Sequence, residues 1–165
     1  MRDLIQQAIK SLEIQDVSLL TSRAFLAKGF EPKYDSEVPE LVIQFKHIVS
    51  RSHVMDLESD QGDERFFRVV IELGARWVKE QESGDVDVKA IIEAEMMAEY
   101  LLKQDPGPDA LKAFALKNAS VHVWPYWREF LSSHCTRMNL PKVTIPAVQF
   151  AMNHDAQTIP PETDD

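Results

Sequence analysis

The stretch RFFRVVIELGARWVKE, residues 65–80, indicates the fold class more clearly than any other part of the chain. Its apolar residues recur at every second position, which is the period of a β-strand that buries one face. The alternation persists along the whole stretch, so we expect one long strand. One face carries Phe67, Val69, Ile71, Leu73, Ala75 and Trp77, and the other carries Arg68, Glu72 and Arg76.

Three further segments have strand-like patterns, and together with residues 65–80 they make four strands in succession. LEIQDVSLLTSRAFL (residues 12–26) and residues 41–57 come before it in the chain. For the second of these, the alternation predicts one face formed by Leu41, Ile43, Phe45, His47, Val49 and Arg51.

The segment VDVKAIIEAEMMAEYLLK, residues 86–103, is ambiguous because Ala, Glu, Met and Leu favour a helix. Its alternation favours a strand instead. Small and apolar residues at even positions from Ala90 to Tyr100, including Met96, share one side, and Glu93, Glu95 and Glu99 share the other. We therefore predict a fourth strand.

Helical patterns precede and follow the four strands. Residues 2–10 form a short amphipathic pattern, residues 108–117 follow a PGPD turn, and Asn118 or Ser120 begins a longer helix that runs to Met138. Strands in succession followed by helices indicate an α+β fold, with a four-stranded antiparallel sheet and helices packed on one face.

We expect residues 1–154 to form a single domain. Within it, residues 140–146 are expected to be extended and residues 147–154 to form a short closing helix. The polar and acidic residues 155–165 are expected to form a disordered tail.

Composition restricts the class of protein. The chain has 165 residues, 44% of them hydrophobic, and a formal net charge of −9. A core of this size needs neither disulfides nor a structural metal. The single cysteine, Cys135, cannot form an internal disulfide, which indicates a reducing, cytoplasmic location. The net negative charge disfavours nucleic acid and favours a basic protein partner. Neither a membrane-spanning run nor a signal peptide is evident in the sequence, so no membrane insertion is expected.

No catalytic, cofactor or metal site is predicted. The five histidines lack metal-ligand spacing, and no phosphate-binding glycine motif occurs. The unusual residues are apolar ones at positions predicted to be irregular or at an edge. We expect them to line a groove between a loop and a helix that binds apolar polypeptide segments: Phe30, Tyr34, Met96, Val148 and Phe150.

The segment NASVHVWPYWREFLSSHCTRMNLPKVTIP, residues 118–146, resembles the hallmark region of the SecB family of export chaperones. That region has an aromatic-Pro-Tyr-x-Arg-Glu core, an arginine at the end of the helix and a Leu/Phe-Pro turn. The core here is WPYWRE (residues 124–129), the arginine is Arg137, and the turn is Leu140-Pro141. Elsewhere IQDVSLL, FEPKY and IEAEMMAEYLL resemble the layout of the family's first strand, crossover loop and fourth strand.

The resemblance implies an ATP-independent cytoplasmic holdase whose sheets pair in a homotetramer, a dimer of dimers. Such chaperones hold unfolded preproteins in apolar grooves and deliver them to the SecA motor for protein export and translocation. The resemblance places Asp16, Ile91 and Glu93 on the flat acidic surface that the family presents to SecA. Leu20 stands where the family often has an acid, and residues 155–165 contain no Cys or His to match the family's zinc tail. A SecB-like protein that guards the antitoxin of a toxin–antitoxin pair has the same core.

Three hypotheses remain at this point. The first is a holdase for unfolded chains, and the second is an adaptor or chaperone for one specific partner. The third is an enzyme or small-molecule binder, which requires a deep polar pocket around Glu72, Glu93 or His122.

Overall fold

In the computed structural model, which describes residues 1–145, four antiparallel strands form one sheet. The spatial order is β1-β4-β3-β2, so β1 and β2 are the two edges. The predicted strand after residue 86 is confirmed, because alternate residues of that segment are buried. The strands are β1 (Leu12–Leu26), β2 (Val42–Leu57), β3 (Glu64–Glu80) and β4 (Val86–Leu102).

Within residues 1–145, three helices accompany the sheet, and together with it they confirm the predicted α+β architecture. They are α1 (Arg2–Ser11), α2 (Pro108–Lys117) and α3 (Ala119–Arg137). Pro125 lies within α3, where it falls in the second turn of the helix. A short 3₁₀ turn, Val38–Glu40, interrupts the crossover from β1 to β2. The closing helix predicted over residues 147–154 and the predicted tail lie outside the described residues.

The core lies between the helices and one face of β3 and β4. The residues predicted for this face, from Phe67 to Trp77 on β3 and from Ala90 to Tyr100 on β4, are all buried. The Tyr100 ring meets the edge of Phe114 on α2 at 5.0 Å between ring centroids. On β2, His47 forms a hydrogen bond of 2.7 Å between its Nε2 atom and Oγ of Ser120, which ties this edge strand to α3.

The register of β2 changes at Ser50, which has no partner on β3. Val49 lies opposite Ile71, but Arg51 lies opposite Val70, so one extra residue is accommodated in β2. The extra residue turns Arg51 to the face away from the helices. The prediction that Arg51 shares a face with Val49 was therefore wrong, because strict alternation does not anticipate a bulge.

Trp127 offers a direct test of this core. It is 1% exposed and stacks on Phe130, with 6.0 Å between ring centroids. We expect Trp127→Ala to lower the free energy of unfolding by about 3–5 kcal/mol, because a large cavity opens beneath α3.

Urea denaturation measures the loss. Val121→Ala is the control on the same helix, since Val121 is 44% exposed, and it is expected to change stability by less than about 0.5 kcal/mol. Equal effects of the two substitutions contradict this description of the core.

Candidate functional site

The residues predicted to bind apolar segments do not all lie at the surface. Phe30 is 8% exposed and Met96 is 3% exposed, so both belong to the core in this conformation. Tyr34, in the crossover between β1 and β2, is 76% exposed. Val148 and Phe150 lie outside the described residues. Of the predicted set, only Tyr34 is accessible within the part of the chain that the structure describes.

The edge strand β2 has a second apolar surface, which we call the β2 surface and define by Val42, Phe45 and Ile48. Their exposed fractions are 42%, 59% and 48%. Phe45 points to the side of the sheet that the helices cover, because its cross-strand partner is the buried Ala75. It is nevertheless the most exposed of the three, so the helices described within residues 1–145 do not cover the sheet at Phe45.

The sequence alone did not identify the β2 surface. Alternation correctly placed Phe45 on the same side as Ile43 and His47, but it does not say whether that side is buried. Only the strand order shows that β2 is an edge. Crossover length and the run of four strands do not determine that order, so no signal in the sequence reveals the exposure of Phe45.

The polar side chains of the same stretch of β2 are directed back to the protein. Arg76 Nε donates a hydrogen bond of 2.6 Å to Gln44 Oε1. Lys46 Nζ lies 3.5 Å from a carboxylate oxygen of Glu72 and 3.5 Å from one of Glu93. With the bond from His47 to α3, the polar residues from 42 to 49 all have partners within the chain.

Two pockets lie along the opposite edge strand, β1, beside the helices, and together we call them the β1 cleft. One part has a volume of about 320 Å³ and is lined mainly by Ile9, Leu12, Ile14, Tyr100, Phe114 and His122. A smaller part of about 160 Å³ is lined mainly by Val17, Leu19, Met96, Tyr126 and Phe130. The β1 cleft is apolar along most of its length.

His122 lies in the wall of the β1 cleft, whose lining also includes Glu13 and Glu129. Its Nδ1 atom lies 2.9 Å from the hydroxyl of Tyr100. Burial lowers the pKa of His122 and raises the pKa of Tyr100, because both charged forms are poorly solvated there. The pair is therefore neutral at physiological pH, and the cleft remains uncharged at this point.

The side of the sheet away from the helices, here the open face, carries the residues that resemble the family's SecA-binding surface. Asp16, Ile91 and Glu93 all lie on it. Their cross-strand partners on β1 and β4 are Glu99 for Asp16, Phe25 for Ile91 and Arg23 for Glu93.

Four glutamates on the open face have cationic partners within the chain. Arg23 Nη2 lies 2.7 Å from Glu93 Oε2, and Lys46 also contacts Glu93. The other pairs are Lys46 with Glu72 at 3.5 Å, Arg51 with Glu95 at 3.1 Å and Arg68 with Glu99 at 2.6 Å. The open face is thus close to charge balance rather than strongly acidic.

The pKa of Glu93 agrees with this pairing. Partial burial alone opposes ionisation, but the hydrogen bond from Arg23 and the charge of Lys46 outweigh it, and the net result is a lowered pKa. Glu93 is therefore ionised at neutral pH and already engaged by two cations.

Catalytic and metal chemistry find little support among residues 1–145. No group of three or more His, Cys, Asp or Glu side chains there is arranged to hold a metal ion. Cys135 is buried, and burial raises the pKa of its thiol, which disfavours the reactive thiolate. No helix in this range is both long and apolar enough to span a membrane.

The buried state of His122 predicts how stability depends on pH. Because its pKa is lowered in the folded protein, the unfolded chain binds more protons below the ordinary value of about 6.5. Stability is therefore expected to fall as the pH drops from about 7.5 to about 5.5, where carboxylates are still ionised.

Urea denaturation at several pH values measures this fall. In His122→Gln, which has no titrating ring, the decrease is expected to be smaller. An identical decrease in the variant and the original protein contradicts the assignment to His122.

Comparison with known proteins gives a match in structure only. No protein-family model matches the chain, and no curated protein matches its sequence. Among solved structures, a SecB-like chaperone from Mycobacterium tuberculosis, in complex with a ChAD peptide from an antitoxin, matches with a TM-score of 0.64. The match covers 89% of this chain and 97% of that chain at 19% sequence identity. The chain therefore has the SecB-like fold that residues 118–146 predict.

Proposed function

We propose that the protein is an ATP-independent chaperone, a holdase that binds unfolded polypeptide segments, and not an enzyme. The observation that carries this proposal is the β2 surface, where three large apolar side chains are exposed beside a strand edge that pairs with no other strand among residues 1–145. Tyr34 adds an exposed aromatic ring in the crossover that leads into β2. Natural proteins rarely leave such an edge uncovered without a use for it.

Burial of apolar side chains supplies the affinity in this mechanism. Each 100 Å² of apolar surface removed from water contributes about 2.5 kcal/mol, and part of this gain offsets the ordering of the client. Hydrolysis of a nucleotide is not needed, because burial of apolar surface alone supplies the binding free energy. Phe45 and Tyr34 replace the buried Phe30 and Met96 as the accessible apolar contacts. Val148 and Phe150 remain predicted contacts outside the described residues.

A second candidate is a chaperone dedicated to one partner, such as an antitoxin. The Mycobacterium tuberculosis SecB-like chaperone was solved with an antitoxin peptide, and that observation favours this candidate. A dedicated chaperone selects one sequence, whereas a general holdase accepts many apolar segments. Affinity for one peptide at least about a hundredfold above that for unrelated unfolded chains distinguishes the two.

Delivery of clients to SecA remains a separate prediction. It relies on Asp16, Ile91 and Glu93, and the charge balance on the open face weakens the electrostatic attraction for a basic surface. We therefore place polypeptide holding first. A cytoplasmic location follows from the same proposal.

We also propose that copies of the chain assemble through the β1 cleft, as the first step towards a tetramer. Ile9, Ile14, Leu19 and Tyr126 are between 41% and 52% exposed along this cleft. They extend over α1, β1 and α3, which makes a broad surface of the kind that homodimers bury. The assembly leaves the β2 surface on the opposite edge of each sheet free for clients.

The client site is tested by the aggregation of a chemically denatured enzyme diluted into buffer without ATP. Stoichiometric amounts of the chaperone are expected to suppress light scattering. Phe45→Asp and Tyr34→Asp are each expected to weaken suppression severalfold, because a carboxylate replaces an aromatic contact and resists burial.

Leu116→Asp is the matched control, since Leu116 is 48% exposed on α2, away from the β2 surface. It is expected to leave suppression unchanged. Failure of the original protein to suppress aggregation eliminates the holdase, and equal loss in all three variants moves the client site elsewhere.

The assembly is tested by light scattering of Leu19→Asp. A carboxylate in the β1 cleft is expected to reduce the measured mass towards that of one 18.9 kDa chain. Peptide binding per chain is expected to persist in the variant. Loss of peptide binding with an unchanged mass contradicts the assignment of this cleft to assembly.

A further inference from the structure

We propose that a client segment binds as a fifth strand along residues 42–49 of β2. This edge is open because Lys46, the only lysine of the stretch, is held over the sheet and away from the edge. The inference rests on the proposed holdase function and specifies how the client is held. It identifies the substrate as an extended segment with apolar residues on both faces. The hydrogen-bonding partner is the backbone of β2.

Residues 42–49 of β2 lack the side chains that normally protect an edge strand. Proteins commonly protect exposed edges with charged residues, lysine above all. The stretch VIQFKHIV, residues 42–49, contains one charged residue, Lys46. Its ammonium group turns inward to Glu72 and Glu93, and it therefore does not guard the edge.

Gly74 on β3 lets Lys46 turn inward. Lys46, Gly74 and Glu93 lie opposite one another on β2, β3 and β4. A Cβ atom at Gly74 would lie 3.1 Å from Glu93 Cγ and 3.4 Å from Lys46 Cβ. The missing side chain thus gives the lysine and the glutamate room to meet above β3, at a position where glycine otherwise weakens a strand.

The polar neighbours of Lys46, Gln44 and His47, also have partners within the protein. Arg76 holds the Gln44 amide, and Ser120 holds the His47 ring. What remains at the rim of this stretch is apolar on both faces, with Phe45 on the helix side and Val42 and Ile48 on the open side. An added strand therefore finds apolar contacts on both of its faces.

The regular part of the β2 edge has the length of a short peptide segment. Pairing of β2 with β3 is regular over eight residues, from Val42 to Val49, between the 3₁₀ turn Val38–Glu40 and the bulge at Ser50. Eight residues of strand span about 27 Å, which suits a short peptide segment. The other edge is less suitable, because β1 has two bulges, at Gln15 and at Leu20.

The same length argues for a client segment over a second copy of the chain. If two copies paired antiparallel through residues 42–49, the rest of each β2, residues 50–57, would extend alongside the other copy's crossover. The 3₁₀ turn Val38–Glu40 occupies that position and offers no strand to pair with. A peptide that ends at this point avoids the conflict. Strand addition of this kind obtains affinity from main-chain hydrogen bonds and specificity from alternate side chains.

The decisive experiment uses a fluorescent peptide with a central run of Val and Phe residues and a lysine pair at each end. Two further versions are N-methylated at alternate residues, one at odd and one at even positions. Only one of the two sets of amides faces β2 in an added strand. We therefore expect one methylated version to lose affinity by about tenfold or more and the other to bind almost as well as the unmodified peptide.

A variant cycle tests the role of the lysine. The double substitution Glu72→Gln with Glu93→Gln releases Lys46, and we expect it to weaken peptide binding about fivefold. In a Lys46→Met background the same double substitution is expected to have no effect on affinity. Urea denaturation of each variant confirms that it is folded.

The outcomes separate the two proposals. If the unmodified peptide does not bind the original protein, the holdase proposal itself fails. If all peptides bind, but both methylated versions weaken equally, clients bind without strand addition and this inference is overturned. An equal effect of the glutamate substitutions in both backgrounds overturns the role of Lys46.

Discussion

The limited cover that the helices give to a long sheet is the constraint on which the rest of the structure depends. The strands have 15 to 17 residues and are therefore about 50 Å long, whereas the 19 residues of α3 span about 28 Å. The helices cover mainly the buried faces of β3 and β4, since these two strands lie at the centre of the sheet. On the helix side, the edges therefore keep apolar side chains in contact with solvent, at Phe45 on β2 and in the β1 cleft. Exposed apolar side chains at two strand edges are surfaces through which other polypeptide chains can be bound.

Charge is distributed by the same sheet. On the open face, the glutamates of β3 and β4 form ion pairs with cations from β1, β2 and β3. The net charge of −9 therefore lies largely elsewhere. The crossover has four acids against two lysines, and the turn between β2 and β3 has three acids, Glu58, Asp60 and Asp63, and no cation. Pairing on the open face stabilises the sheet modestly, since partly exposed ion pairs contribute about 0–1 kcal/mol each. Its larger consequence is positional, because it draws Lys46 away from the edge.

Much of the fold was predictable from local pattern, and the site was not. The alternation in β3 and β4 identified the buried faces correctly, even where propensity favoured a helix, because burial on one face requires a period of two. Three features depend on long-range contacts that no local pattern encodes. The strand order exposes Phe45, the bulge at Ser50 reverses Arg51, and the crossover folds Phe30 into the core while Tyr34 stays outside. Phe30 and Met96, which were predicted to line a groove between a loop and a helix, are therefore buried in this conformation, and the groove itself stays a prediction.

Hydrogen exchange of the backbone amides, measured with and without a bound unfolded peptide, tests the central claim most directly. Amides on the outer side of an edge strand exchange readily when unpaired and slowly when a partner strand accepts their hydrogen bonds. The account predicts that peptide binding protects alternate amides between residues 42 and 49 of β2, and leaves β1 unchanged. Protection of β1 and α3, with residues 42–49 exchanging as before, would contradict it.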